Sequence, residues 1–228
     1  MSKEAFFAKN DYKTPLLFPV RFDQTHYRID VLDETLLPFQ EKYIQVQSLA
    51  DAEKVLYEMK TRAFGQVLLF LYTVILETRA APAQAPETVI DSVAQRFKEK
   101  RPTFDFPSIA GLLKKALAKT PGVSVSACAE NFIKGFDLGR KTRASALAEK
   151  LPAESSILTL CNLNGELVYL YYALRTLDKK ACFFVSETRP YLQGTRLTFW
   201  ELSKEKIPCA LLCDNQAANL MRRAPSIC

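Results

Sequence analysis

The sequence predicts an α/β protein: an N-terminal mostly helical domain over residues 1–152, followed by an incomplete Rossmann-like parallel sheet domain over residues 153–228. Three observations carry this. Apolar residues recur at helical spacing through most of residues 49–150, and beyond Pro152 short, wholly apolar runs alternate with helical stretches. A chain of 228 residues that is 48% hydrophobic and 25% charged has enough interior to fold without a disulfide or metal staple.

Taken in order, Pro15, Pro19 and Pro38 punctuate an extended lead-in with short strand-like runs such as Tyr43 to Val46. Leu49, Ala52, Val55, Leu56 and Met59 recur at three and four residues, predicting an amphipathic helix from Leu49 to Arg62. From Gly65 to Leu76 the chain is apolar all round, as in a helix buried on every side. The uncharged stretch Ala63 to Leu76 falls short of the ~20 apolar residues that a membrane span needs. Ala80 to Glu87, with two prolines and no bulky apolar residue, reads as a surface loop. Helical spacing resumes over Val89–Lys98, Ser108–Lys119 and Ser126–Lys150, interrupted at Arg101-Pro102 and Pro121-Gly122. Beyond Leu151-Pro152, apolar runs at Ser156–Cys161, Ala181–Ser186 and Pro208–Cys213 alternate with helical stretches at Leu167–Leu177 and Leu192–Ser203. This β-α-β-α-β rhythm implies parallel strands covered on both faces and joined by right-handed crossovers.

Composition narrows the function. The formal charge of +6, from 31 basic and 25 acidic residues, is spread over both parts. It suits a phosphorylated small molecule held by a few placed arginines better than a nucleic-acid face, which needs clustering. Met1 to Asn10 carries Lys3, Glu4 and Lys9 and no apolar run, so no leader or membrane segment is expected and the location is cytoplasmic. Of six cysteines, Cys209 and Cys213 lie in a strand-like run where four residues span ~13 Å, too far for a disulfide. They read as inert core thiols. With no Cys-x-x-Cys pair and His26 as the only histidine, no metal site is expected; His26 reads as an ordinary surface or half-buried side chain.

Ligands of an open parallel sheet bind beyond the carboxyl ends of its strands. The three strands run out into Cys161-Asn162, Glu187-Thr188-Arg189-Pro190 and Asp214-Asn215, so polar groups gather at one edge, although polar residues also begin the loops after any strand. Cys161 is a nucleophile or acid–base group if positive charge lowers its pKa, and Arg189 could supply that charge; otherwise it is a buried thiol at a strand end. Gln193-Gly194 open the next helix, where backbone N–H groups favour an anion or simply cap the helix.

Glu187-Thr188-Arg189-Pro190-Tyr191-Leu192-Gln193-Gly194, with Arg196-Leu197-Thr198 and Glu201-Leu202, resembles the signature stretch of S-methyl-5-thioribose-1-phosphate isomerase and its relatives, the alpha, beta and delta subunits of translation initiation factor 2B. Other blocks follow in family order. Leu32-Asp33-Glu34-Thr35-Leu36-Leu37-Pro38 resembles Asp-Gln-x-x-Leu-Pro, and Met59-Lys60-Thr61-Arg62 resembles Met-x-Val-Arg. Arg101-Pro102-Thr103 is similar to Ser-Arg-Pro-Thr, and Leu158 to Asn162 to Leu-Thr-His-Cys-Asn. Asp214-Asn215 and Leu220-Met221 continue the likeness.

The resemblance implies aldose–ketose isomerisation of a ribose 1-phosphate in methionine salvage, with no metal or organic cofactor and a homodimeric assembly. It implies that Cys161 is catalytic, that Arg62 and Arg101 bind the phosphate, where a guanidinium makes paired hydrogen bonds, and that Gln193 holds sugar hydroxyls beside Arg189. The alternative is a non-catalytic, initiation factor 2B-like interaction subunit. Several positions depart from the family. Its Arg-Gly-Ala-Pro-Ala-Ile-Gly loop reads Arg62-Ala63-Phe64-Gly65-Gln66-Val67-Leu68, Leu160 replaces the histidine before the cysteine, and Phe104-Asp105-Phe106 replaces Ala-Val-Asn. The family's glycine after Asn162 matches either Asn164 or Gly165. The family's Gly-Ala-Asp-Arg block, with its catalytic aspartate, falls beyond Cys228, so a truncated chain with little or no catalysis of its own is expected.

Overall fold

The computed structural model describes residues 12–223, so the N-terminal residues read above as free of a leader, and Cys228, lie outside the described residues. The chain is mixed α/β and divides into two compact units: Phe18–Phe136, and Asp137–Cys228 joined by the segment ending at Leu17. The division falls inside a long helix, whereas the sequence rhythm changes at Pro152.

The first unit opens with three strands, β1 (Val20–Asp23), β2 (Arg28–Leu32) and β3 (Tyr43–Val46), in an antiparallel sheet of order β1-β2-β3. The lead-in is thus a sheet, of which only β3 was legible. Asp23 shapes the β1–β2 hairpin: its carboxylate accepts the backbone N–H groups of Thr25 and His26 at 3.0 and 3.1 Å and meets His26 Nδ1 at 2.7 Å. Val20, Ile29, Val31 and Val46 turn into the core.

Helix α1 (Leu49–Tyr57) starts at Ser48, whose side chain accepts from Asp51 N. It ends well before Arg62. Met59 takes a left-handed φ of 55° and Lys60 N bonds back to Val55 O at 3.1 Å, the Schellman ending of a helix. Thr61 and Arg62 consequently lie in a loop, although the sequence pattern predicts the helix to run through them. Helix α2 (Phe64–Ala80) is buried around most of its surface, as its apolar run demands; α3 (Pro86–Lys100) packs on it, and α4 (Phe106–Lys119) packs on α3. The rings of Phe70, Phe97 and Phe106, one from each helix, meet with centroids 5.1–5.7 Å apart at the centre of this core.

Helix α5 (Val125–Lys150) begins in the first unit and continues into the second. There β4 (Glu154–Thr159), α6 (Glu166–Thr176), β5 (Lys180–Ser186), a helix wound as a π-helix over Gly194–Phe199 and continuing as α7 (Trp200–Lys204), and β6 (Cys209–Leu212) realise the β-α-β-α-β rhythm. The sheet is wholly parallel in the order β4-β5-β6, with Thr159 opposite Val185 and Ser186 opposite Leu212, so all three strands run out at the same edge. A short 3₁₀ turn (Asp214–Gln216) and α8 (Ala217–Arg223) follow. The segment Tyr12–Leu17 straps onto this unit: Leu16 and Leu17 are buried, and the Tyr12 ring lies 5.5 and 5.4 Å from those of Tyr169 and Tyr172. Among the described residues no helix is long and apolar enough to cross a membrane.

Candidate functional site

At the carboxyl edge of the parallel sheet the three strand-end loops are laced together by side-chain-to-backbone hydrogen bonds. Cys161, two residues past β4, donates its backbone N–H to Thr188 Oγ1 at 2.8 Å, and its carbonyl accepts from Thr198 Oγ1 at 2.6 Å. The Thr188 hydroxyl donates in turn to Ser186 O at 3.1 Å. Asp214, after β6, accepts from the backbone N–H groups of Thr188 and Arg189, both at 2.8 Å, and from the Ser186 hydroxyl. These bonds hold the Asp214 carboxyl below its ordinary pKa. Four non-glycine residues in these loops adopt left-handed φ angles: Cys161 (66°), Asn164 (42°), Thr188 (59°) and Leu192 (58°). Strain of this kind persists where the surroundings over-determine the backbone, and here the hydrogen bonds do so.

Gly194 shows how close the packing is. A Cβ there would lie 1.7 Å from Ser186 O, so only glycine lets the first helical turn after β5 approach the strand end. Its neighbour Gln193 has Oε1 buried with no hydrogen-bond partner among the described residues, as does Asn162 Nδ2 beside Cys161. Buried polar atoms left open in this way suit hydroxyl groups of a ligand.

Beneath the Cys161 turn lie charges to which the sequence assigned no role. Gly165 has φ +83°, and its missing Cβ position lies 2.2 Å from Leu17 Cδ2, so no side chain fits there. Its N–H donates to Glu201 Oε2 at 3.1 Å. Arg140 donates to the carbonyls of Asn164 at 2.8 Å and Leu17 at 2.9 Å, and to Asp137 at 2.8 Å. Burial pushes the Glu201 carboxyl up to about 7.

Among the predicted residues, Cys161, Arg189 and Gln193 fall in the sheet unit and Arg62 and Arg101 in the helical unit. Cys161 is half-buried. The Arg189 guanidinium is 70% exposed and pairs with Glu187 at 3.1 Å, while its backbone is the part tied to Asp214. Arg62 is half-buried, and its N–H meets Glu34 Oε1 at 3.3 Å, the same oxygen that accepts from the Thr61 hydroxyl at 2.7 Å. Arg101 follows α3, with Nε buried and no partner among the described residues. Cys209 is half-buried, but Cys213 is exposed rather than a core thiol, because β6 ends at Leu212. Among the described residues no three His, Cys, Asp or Glu side chains cluster as metal ligands.

The sequence profile of the initiation factor 2 subunit family matches residues 61–227. A methylthioribose-1-phosphate isomerase from Anaeromyxobacter sp. is 30% identical over 225 residues, covering 93% of this chain and 64% of that protein. Its counterpart from Schizosaccharomyces pombe is 30% identical over 220 residues, covering 86% of this chain and 60% of that one. The chain therefore spans less than two thirds of the length of these relatives. In fold it is similar to the 5-methylthioribose 1-phosphate isomerase of Pyrococcus horikoshii, with a TM-score of 0.68 at 20% identity over 93% of this chain and 65% of that one. It is also similar to the translation initiation factor eIF-2B delta subunit of A. fulgidus, with a TM-score of 0.66 at 20% identity over 91% and 65%. The chain belongs to the initiation factor 2 subunit family.

Proposed function

We propose that this chain carries the cysteine-bearing and sugar-binding part of a methylthioribose-1-phosphate isomerase, which interconverts an aldose 1-phosphate and a ketose 1-phosphate. The observation that supports this most is the Cys161 turn, locked from both sides by Thr188 and Thr198 and flanked by the open polar atoms of Asn162 and Gln193. The isomerase names of the curated relatives point the same way. In this reading Cys161 moves hydrogen between C1 and C2 as an acid–base group, and Gln193 and Arg189 hold sugar hydroxyls. Arg62 and Arg101 hold the phosphate through paired guanidinium hydrogen bonds. The reading carries with it a homodimer, a cytoplasmic location and no nucleic-acid partner.

A second reading, a non-catalytic subunit of the initiation factor 2B kind, is favoured by Phe64 and Ala63 in the loop after Arg62, where a backbone phosphate cradle calls for small residues. One experiment separates the two. The purified chain is incubated with the aldose 1-phosphate, and product is followed by NMR alongside the Cys161→Ala variant. The isomerase reading expects ketose phosphate from the wild type and none from the variant. No conversion, together with no rise in melting temperature on adding substrate, rejects it for this chain and leaves the subunit reading.

A further inference from the structure

Glu201 is a fully buried carboxylate whose two oxygens serve two different segments. Oε1 accepts from the Thr14 hydroxyl at 2.9 Å, and Oε2 accepts from the Gly165 N–H at 3.1 Å. Thr14 belongs to the strap that ends at Leu17, and Gly165 closes the turn that begins at Cys161. One helical turn later, Glu205 Oε1 accepts the strap's Lys13 and Thr14 N–H groups at 2.5 and 2.6 Å. Arg140 repeats the bridge from another helix, donating to Leu17 O in the strap and Asn164 O in the turn. Strap and turn therefore share anchors at both ends of their contact.

We propose that Glu201 is the positioning residue of the Cys161–Gly165 turn and couples it to the N-terminal strap, so that docking of the strap orders the backbone carrying the cysteine. This rests on the reading of Cys161 as the reacting group for its functional meaning, but the coupling itself is a property of the backbone. The charges facing Glu201 are Glu205 on its own helix, Arg140 with Asp137 on α5, and the phenols of Tyr12 and Tyr172 near Glu205. Burial outweighs the two donors and Arg140, so the carboxyl titrates near neutrality. Undocking lets it hydrate. Deprotonation therefore loosens strap and turn together as pH rises from 5 towards 7 and above.

Amide hydrogen exchange of the full chain, with peptides covering residues 12–17 and 161–166, tests this. Glu201→Leu removes both acceptors and should speed exchange in both segments about tenfold or more. Glu201→Gln accepts from Gly165 and donates to Thr14, so it should restore protection and abolish the extra loosening between pH 6 and 8 that the wild type shows after correction for intrinsic exchange. Thr14→Val decides the coupling, because the hydrogen bonds of Thr14 go to Glu201, Glu205 and Leu16 and not to the turn: a several-fold faster exchange at Gly165 is expected. Fraying of the strap with Gly165 unchanged overturns the proposal. So does a Gln variant as pH-sensitive as the wild type. Alkylation of Cys161, followed by mass spectrometry with Cys182 as internal reference, then reads the consequence for the thiol. If exchange is coupled while alkylation and turnover do not respond, the coupling stands and the catalytic reading of Cys161 fails.

Discussion

Glu34 in the helical unit and Glu201 in the sheet unit are each buried beneath a candidate binding segment, and the two are wired differently. In the helical unit Glu34, 3% exposed, takes two donors on one oxygen, the Thr61 hydroxyl and the Arg62 N–H, and leaves Oε2 with no hydrogen-bond partner among the described residues. In the sheet unit Glu201, 2% exposed, commits one oxygen to Thr14 and the other to Gly165. Burial raises both carboxyls to about 7, with Asp33 adding to the effect at Glu34 and Glu205 at Glu201. The difference teaches what a buried carboxylate can hold: one shared oxygen grips a single loop, whereas a divided pair bridges two segments that are far apart in sequence.

The comparison breaks most severely at Gly194, which belongs to the sheet unit alone. Gly194→Ala drives a Cβ into the Ser186 carbonyl, where neither backbone can yield without tearing β5 from the helix that follows it. A loss above ~3 kcal/mol is expected. Trp200, the only tryptophan, lies in α7 of the same unit, so its fluorescence follows this unit while far-ultraviolet circular dichroism is weighted towards the helical one. The expected outcome is an early fluorescence transition with most of the helical signal retained. A joint early loss of both signals would mean that the two units unfold as one.

Next in size is pH. A carboxyl whose folded pKa lies above its unfolded value holds its proton more tightly when folded. Its contribution to stability is fully present below pH 4.5 and is lost as pH rises through about 7. At about 1.4 kcal/mol per pH unit, each glutamate removes roughly 3 kcal/mol across that window as an upper bound. Glu201→Gln should therefore match the wild type at pH 5 and exceed it at pH 8 in urea unfolding followed by Trp200. Glu34→Gln should gain less, because its new amide nitrogen occupies the position of the partnerless Oε2 and a buried unpaired donor costs about 1–3 kcal/mol. Equal gains for the two variants would remove the distinction between the shared and the divided oxygen pair.

The long helices and the parallel sheet were legible because each shows its pattern over enough residues: helical spacing in α3 or α5, an all-round apolar run in α2, and the apolar stretches Ile157-Leu158 and Ala181–Val185 within β4 and β5. The first sheet was not, since β1 and β2 span four and five residues between prolines and charges, too few to establish alternation. In the site, the rule for strand ends led to Cys161, Arg189 and Asp214, and the start of the following helix to Gln193. What it could not supply were the ties that fix them. A threonine that bonds a backbone across the sheet leaves no periodic trace, and Glu201 reads in sequence like any solvent-facing helical carboxylate while lying wholly buried. Thr188, Thr198 and Arg140 are of the same kind: their roles come from register, which exists only after folding. The resemblance to Asp-Gln-x-x-Leu-Pro did mark position 34, where this chain carries Glu instead of Gln, and burial makes that single difference a titrating group.

The smallest expected effect sharpens the comparison on the helical side. Ala63, where the family pattern carries glycine, precedes α2 with φ 40° and ψ −109°, a conformation that a Cβ disfavours. It is held there by its surroundings: Arg62 before it is tied to Glu34, and the carbonyls of Arg62 and Ala63 accept from Gly65 and Gln66 at 2.8 and 3.1 Å as the helix begins. Its methyl group is exposed, so truncation forfeits little buried area. Glycine would relieve the strain but also free the unfolded chain, and the first term exceeds the second at a left-handed position. Ala63→Gly should therefore stabilise the helical unit by about 1 kcal/mol in a circular dichroism melt while leaving the Trp200 transition in place. A lower melting temperature instead would show that the strained alanine stiffens the Thr61–Arg62 loop, and that Glu34's single-oxygen grip depends on that stiffness.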